Sequence, residues 1–216
     1  MYVFCFRKVL QAQHFLRDSS WFCTTLELVQ NCISELGASA LQEIICYGLG
    51  NFSECLISRY QLGLLLEIQK YFQSGVLIYD PVFTEQEKEI LRGFNCSLIN
   101  YNEHGRHKVK KISLIYLPHC PKELTDNFLW SNWGLALSNC IIFGNSIANI
   151  ITSKPRSAVK NKFKYIYHIS QIVKEFEVAN TFKYQNIFND TSIHIFPLNR
   201  LLSIDCKFWE SSIPEE

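Results

Sequence analysis

Two segments of this chain constrain its fold more than any other. Residues 43–53, EIICYGLGNFS, predict a buried strand that runs into a Gly-x-Gly turn at Gly48 and Gly50, and residues 75–81, GVLIYDP, predict a second buried strand that ends at Asp80. An apolar segment of helical periodicity lies between them. Strand, glycine turn, helix, strand and acid are the order typical of the nucleotide-binding half of a doubly wound sheet. We therefore predict a Rossmann-like α/β fold with a ligand pocket at the carboxyl ends of the strands.

The rest of the chain continues the same alternation. Further strands are predicted at residues 97–99, 112–117, 140–143 and 192–196, and helices at residues 85–92 and 122–138. Strands that alternate with helices imply a mainly parallel sheet with helices on both faces. Apolar residues recur at three- and four-residue steps over residues 4–36, which predicts an N-terminal helical cap on the sheet. The predicted organisation is a cap at 1–42, an α/β domain at 43–200 and a tail at 201–216.

Composition narrows the class of partner. The 21 basic and 20 acidic residues give a net charge of +1, so we expect no generic nucleic-acid binding. The nine cysteines form no C-x-x-C pair, which argues against a zinc site and favours free thiols in a reducing compartment. The longest uncharged stretch, residues 127–153, contains five asparagines and two glycines, so we expect no membrane span. These features predict a cytoplasmic protein, with the nucleus as a second location.

Polar residues follow four of the predicted strands. Asn51, Asp80, His119 and Asn145 would converge with the glycine turn on one edge of a parallel sheet and form a ligand pocket. The turn lacks the third glycine of a dinucleotide fingerprint, and Asp80 lies further from it than the usual ~20 residues. Two interpretations of Asp80 stay open: it binds a ribose, or it caps the turn at Pro81. The glycines likewise either approach a ligand or simply allow the turn.

The tripeptide His119-Cys120-Pro121 follows the fourth predicted strand. A cysteine before a proline is the pattern of haem-responsive sites in which a thiolate ligates iron, so Cys120 is a candidate haem ligand. The alternative is a structural loop. The cofactor is therefore unknown, with haem and a nucleotide-type ligand as the two candidates. No Ser-His-Asp order, H-E-x-x-H motif or Walker glycine loop is present, and neither a catalytic residue nor a metal site is predicted.

Several blocks, taken together and in order, carry a family resemblance. They are ICYGLGNFSECLISRYQLGLLLEI at 45–68, VLIYDPVFTEQEKEIL at 76–91, INYNEHGRHKV at 99–109, YLPHCPKELTDNFLWSNW at 116–133, CIIFGNS at 140–146 and FNDTSIHIF at 188–196. With these blocks the chain resembles the sensitivity-to-red-light-reduced (SRR-like) domain family of plants, fungi and animals. The blocks cover residues 45–196, and residues 1–42 and the tail lie outside them.

The resemblance implies a regulatory protein that acts by binding rather than by catalysis. It implies a role in circadian clock input and light signalling, and in the control of haem biosynthesis, with protein partners that are unknown. It carries over no catalytic residue. An uncharacterised nucleotide- or adenosyl-cofactor-dependent enzyme of methyltransferase-like type, using the same pocket, stays open as the alternative.

Overall fold

The computed structural model describes residues 2–210, which form ten α-helices and seven strands. The strands are β1 (Glu43–Tyr47), β2 (Gly75–Tyr79), β3 (Cys96–Leu98), β4 (Ser113–Leu117), β5 (Cys140–Asn145), β6 (Lys174–Glu177) and β7 (Thr191–Ile195). The helices are α1 (Tyr2–Arg17), α2 (Ser20–Glu35), α3 (Leu56–Phe72), α4 (Glu85–Gly93), α5 (Lys122–Ser131), α6 (Ile147–Thr152), α7 (Arg156–Lys162), α8 (Lys164–Ile169), α9 (Leu198–Leu202) and α10 (Cys206–Glu210).

The strands form one sheet in the order β3-β2-β1-β4-β5-β7-β6. The first five strands along the chain pair in parallel, as the alternation of strands and helices predicts. Ile45, Ile78, Leu114 and Ile142, one from each of the four longest parallel strands, are fully buried. The expectation of a mixed α/β fold with a mainly parallel sheet is confirmed.

The last two strands depart from this pattern. β7 inserts between β5 and β6 and runs antiparallel to both. No helix lies between β6 and β7, so the chain makes no crossover there and an antiparallel return is the available pairing. The sequence predicts the position of β7 but not its direction.

Helices cover both faces of the sheet. Ile44 and Cys46 of β1 belong to a core that includes side chains of α1 to α4, whereas Ile45 and Tyr47 belong to a core that includes side chains of α5 to α8. Successive side chains of a strand point to opposite faces, so both faces are apolar and the strands have near-continuous hydrophobic sequences.

The N-terminal segment is two helices rather than one. The first helix ends at Arg17, and Ser19 caps the second, since its Oγ accepts a hydrogen bond from the Phe22 amide (3.2 Å). α1 packs closely on α3 at Gly63, where an added Cβ would lie 3.0 Å from Leu16 Cδ1. Both helices contribute side chains to the core that covers one face of the sheet.

The helix α5 is shorter than its sequence predicts. It ends at Ser131, and a 3-10 helix at Leu135–Asn139 follows. Asn132 marks the end: its side chain accepts from the Val109 amide (2.8 Å) and donates to the His107 carbonyl (2.7 Å). These bonds fix the loop between β3 and β4 against α5, and residues of this loop form one wall of the cavity described below.

Candidate functional site

A cavity of about 510 Å³ lies at the carboxyl ends of β1 and β2. We call it the strand-edge cavity. The sheet order reverses beside it, because the chain places β2 on one side of β1 and β4 on the other, and open α/β sheets bind ligands at such a reversal. Its lining residues are Tyr47, Gly48, Gly50, Tyr79, Asp80, Pro81, Val82, Asn102, His104, Pro121, Glu123, Leu124 and Asn127.

Asp80 ties the two strand ends together. Its Oδ2 accepts from the Gly50 amide (2.8 Å) in the glycine turn, and its Oδ1 accepts from the Val82 amide (3.0 Å). The second bond is the Asx turn that the sequence offers as one role for Asp80. The residue is only 7% exposed, and it lines the cavity. Its two hydrogen bonds therefore hold the carboxylate in place beside any ligand there.

Gly48 lies directly against Cys120. It adopts φ +68°, and a Cβ at this position would come within 2.5 Å of the Cys120 Sγ. A left-handed backbone and the lack of space both require glycine here. The close approach packs the loop after β4 onto the glycine turn and forms one wall of the cavity.

Cys120 does not fit an iron ligand in this arrangement. Its thiol is buried and donates a hydrogen bond to the Tyr47 carbonyl (2.9 Å). Burial raises the pKa of the Cys120 thiol far above its ordinary value, whereas iron ligation needs the thiolate. The residue supports the wall beneath Gly48 instead of facing the cavity.

Three further residues of the predicted pocket lie outside the cavity lining. Asn51 accepts from the Glu54 amide (3.1 Å) within its own turn, and Asn145 donates to the Cys120 carbonyl (2.9 Å). His119 adopts φ +50° and places its ring against other partners. Its ring nitrogens lie 3.3 Å from Gln61 Nε2 and 2.9 Å from the Asn189 carbonyl oxygen. Of the six predicted pocket residues, Gly48, Gly50 and Asp80 line the cavity.

The loop between β3 and β4 forms the opposite wall and is anchored by Glu103. The Glu103 carboxylate accepts hydrogen bonds from the Tyr47 hydroxyl and from His107 Nδ1 (3.0 Å). Burial and the neighbouring carboxylate raise the pKa of Tyr47. Burial alone would raise the pKa of Glu103, but the bonds from Tyr47 and His107 outweigh it and hold that pKa below its usual value. Tyr47 therefore stays a neutral donor that fixes the loop.

Glu87 on α4 binds the segment that follows the glycine turn. Thr84 and Glu87 form a capping box at the start of α4. The second carboxylate oxygen of Glu87 accepts from the Ser53 amide (3.0 Å) and hydroxyl (2.7 Å). Ser53 therefore binds α4 and does not cap α3, whose first turn follows Cys55.

A second polar cluster caps α6 away from the cavity. His194 is fully buried and accepts from the Ile147 amide (3.3 Å), while Glu175 accepts from the Ser146 hydroxyl (2.6 Å) and the Ala148 amide (3.0 Å). Burial alone would raise the pKa of Glu175, but the nearby His194 ring and the hydrogen bonds from the Ser146 hydroxyl and the Ala148 amide lower it to about 2. The cluster holds the start of α6 against β6 and β7.

A larger groove of about 810 Å³ lies elsewhere, between α1, α2 and residues 181–183. Aromatic side chains line it, including Phe15, Trp21 and Phe182, but none of its lining residues in the described part of the chain belongs to a strand. Within residues 2–210, no group of three or more His, Cys, Asp or Glu side chains is placed to hold a metal ion. No helix in the same part of the chain is long and apolar enough to cross a membrane.

Six of the lining residues that sequence reasoning missed come from three places: two strand ends, the β3–β4 loop and α5. Tyr47 and Tyr79 are the last residues of β1 and β2, a position that could have identified them. Asn102 and His104 lie in an irregular loop, and Leu124 and Asn127 lie on α5, where nothing in the local pattern distinguishes a cavity wall from a surface.

The fold and the cavity define a mixed α/β protein with a ligand-sized cavity at the edge of a seven-stranded, mostly parallel sheet. Comparison with known proteins then identifies its family. The family model described as the SRR1 domain matches residues 10–195, and the chain belongs to that family.

Individual relatives agree with this assignment. The chain is 32% identical over 200 residues to an SRR1-like protein of Drosophila melanogaster, a match that covers 91% of this chain and 70% of that protein. It is 30% identical over 198 residues to an SRR1-like protein of Mus musculus, covering 76% and 80%. It is 28% identical over 167 residues to Protein SENSITIVITY TO RED LIGHT REDUCED 1 of Arabidopsis thaliana, covering 74% and 61%.

The family match is longer than the motif blocks in the sequence. It begins within α1 and ends with β7, so it includes most of the N-terminal helical segment and all seven strands. The expectation that residues 1–42 lie outside the resemblance is therefore wrong from residue 10 onwards. Physically, α1 and α2 complete one of the two cores, so they belong with the sheet that they cover.

Proposed function

We propose that this protein is a regulatory protein that acts by binding a small ligand in the strand-edge cavity. The observation that carries the proposal is the cavity itself, about 510 Å³ in volume and beside the reversal of strand order. Among the described residues, no Ser, Thr or Cys side chain lines it, so it lacks the usual side-chain nucleophiles of acyl transfer. Tyr47 and Asp80 are already engaged with Glu103 and with backbone amides. Binding is therefore favoured over catalysis.

The family gives the proposal its biological setting. The plant relative is named for reduced sensitivity to red light, and the SRR-like resemblance implies clock input and the control of haem biosynthesis. We propose that this chain acts in the same two processes, in the cytoplasm and the nucleus, through protein partners. The buried Cys120 thiol argues that any control of haem biosynthesis does not use this residue as an iron ligand.

The alternative function is an enzyme that uses a nucleotide or adenosyl cofactor. The order β3-β2-β1-β4-β5 favours it, because the dinucleotide-binding fold begins with the same order, a glycine turn after the first strand and an acid near the end of the second. This similarity supports a Rossmann-like description of the sheet. Consumption of a cofactor over time, rather than reversible binding, would distinguish the enzyme.

One pair of variants tests the binding proposal in cells that lack the chain. Val82 is 54% exposed and lines the cavity, so Val82→Trp should fill it and leave the fold intact. Val3 on α1 is 59% exposed and is not among the residues that line the cavity, so Val3→Trp is the matched control. The measurements are the period of a circadian reporter and the haem content.

Wild type and Val3→Trp should restore both quantities, and Val82→Trp should not. Equal rescue by the two variants would refute a function of the cavity. Normal rhythm and haem content in cells that lack the chain would refute the clock and haem roles.

A further inference from the structure

We propose that the strand-edge cavity takes a nucleoside-type ligand, one with free ribose hydroxyls and no phosphate, either neutral or positively charged. This inference rests on the proposed function and names the chemical class of the ligand. It depends on the acceptor capacity of Asp80, on the charge of the lining and on the position of α3.

Asp80 is placed to accept hydroxyl groups. An ionised carboxylate can accept about four hydrogen bonds. Asp80 accepts one backbone N–H on each oxygen, from Gly50 and Val82, so each oxygen keeps capacity for one more. Adjacent hydroxyls of a ribose match two neighbouring acceptors, and an acid near the end of the second strand has this role in dinucleotide-binding sheets. The two existing bonds hold the carboxylate in one orientation before a ligand arrives.

The charge of the lining argues against a phosphate. Asp80 and Glu123 line the cavity, while no Lys or Arg does so within residues 2–210. Phosphates are normally held by Arg, Lys, metal ions or free backbone amides. Glu123 is paired with Lys162 (3.0 Å), but Lys162 is not among the lining residues. A phosphate here would face two carboxylates, whereas a positively charged group would be attracted to them.

The Gly50 amide and the N-terminus of α3, which would bind a phosphate in a dinucleotide-binding sheet, are not available to one in this cavity. In dinucleotide-binding sheets the pyrophosphate lies at the N-terminus of the helix after the glycine turn. Here the Gly50 amide donates to Asp80, and no residue of α3 lines the cavity in the part of the chain described. Several residues separate Gly50 from Leu56, the first residue of α3. The glycine turn therefore resembles a phosphate-binding loop in sequence without providing its anion site.

The remaining walls suit a flat base. Tyr47 and Tyr79 bring aromatic surface from the ends of β1 and β2, and Leu124 adds aliphatic surface from α5. Asn102 Oδ1 accepts from the His104 amide (2.8 Å) and Asn127 Nδ2 donates to the His104 carbonyl (2.9 Å), so the Asn102 amide donor and the Asn127 side-chain carbonyl are the groups available to a ligand. Aromatic and aliphatic walls with a few polar groups are typical of sites for small organic ligands.

Isothermal titration calorimetry with a defined panel tests this inference. The probes are the four common ribonucleosides and S-adenosylmethionine, each compared with the deoxyribose form or the monophosphate where one exists. We expect at least one ribose-bearing probe to bind below about 1 mM, with its monophosphate and its deoxyribose form each at least roughly tenfold weaker. Asp80→Asn should weaken that binding by about tenfold or more, and Val82→Trp should abolish it.

Asp205→Asn is the matched control, because Asp205 makes the same type of turn, accepting from the Lys207 amide (2.8 Å), outside the cavity. It should bind like wild type. If Asp80→Asn does not fold, Val82→Trp alone decides, since it leaves the bonds of Asp80 in place. No binding by any ribose-bearing probe, tighter binding of a monophosphate, or unchanged binding by Val82→Trp would overturn the inference. If nucleosides fail while Val82→Trp still loses rescue in cells, the ligand class is wrong and the proposed function stands.

Discussion

Replacing Gly48 by alanine should destabilise the fold by about 2–5 kcal/mol, from two separable sources. Gly48 has φ +68°, and an L-residue in the left-handed region costs roughly 1–2 kcal/mol. The new Cβ would also lie 2.5 Å from the Cys120 Sγ, a collision that forces the loop after β4 to shift. Overpacking of this kind costs about 1–3 kcal/mol.

Two further variants separate the sources. Gly37 has φ +73° and no atom within 4 Å of an added Cβ, so Gly37→Ala should show only the backbone cost of roughly 1–2 kcal/mol. In the double variant Gly48→Ala with Cys120→Ala the sulfur is absent, and the nearest part of residue 120 is its Cβ at 3.6 Å. The double variant should therefore recover about 1–3 kcal/mol relative to the sum of the single variants.

Urea unfolding followed by tryptophan fluorescence measures these differences, since the midpoint reports stability when the slope is unchanged. The double-mutant cycle needs four proteins: wild type, Gly48→Ala, Cys120→Ala and the double variant of both. Strict additivity in the cycle would refute the collision with Cys120. Equal losses in Gly48→Ala and Gly37→Ala would also refute it, because only the backbone term would then remain.

Two more predictions concern titrating groups. Because the Cys120 thiol is buried and donates to the Tyr47 carbonyl, adding haemin should give the same Soret spectrum with wild type and with Cys120→Ala; a band that only wild type shows would restore the haem-ligand hypothesis. Burial raises the pKa of Asp126 from 3.8 to about 6, so the folded protein holds this proton more tightly than the unfolded chain and loses stability as the pH rises between those values. Asparagine cannot ionise, so the variant Asp126→Asn lacks this loss. The difference in unfolding free energy between Asp126→Asn and wild type should therefore shift by roughly 2–3 kcal/mol in favour of the variant as the pH rises from about 4 to 7. Urea midpoints measured at both pH values check this, and a constant difference would contradict it.

The strands could be predicted closely because each is a short apolar run bounded by Gly, Pro or polar residues. β1, for example, begins at Glu43 and ends at Tyr47, directly before the predicted glycine turn. The direction of β7 could not be predicted in the same way. It depends on which strand edge is free when the chain returns, and no local pattern in residues 191–195 carries that information.

The candidate site was only partly predictable for a related reason. Gly48, Gly50 and Asp80 follow β1 and β2 directly, where the strand itself fixes their position. His119 and Asn145 also come at strand ends, but their side chains bind Gln61, Asn189 and the Cys120 carbonyl. The strand places the residue, whereas the conformation of the loop decides where its side chain points.

The insertion of β7 between β5 and β6 has a consequence for the order in which the molecule can be assembled. The first five strands pair in parallel with one another and can form a sheet before the later ones exist. β6 is synthesised before β7 but pairs only with β7 among the described strands, so it has no strand to pair with until β7 has been synthesised. During that interval β5 presents a free edge of apolar residues, the kind of edge that promotes association between chains. A chain truncated before residue 191 would therefore keep an uncovered sheet edge along β5.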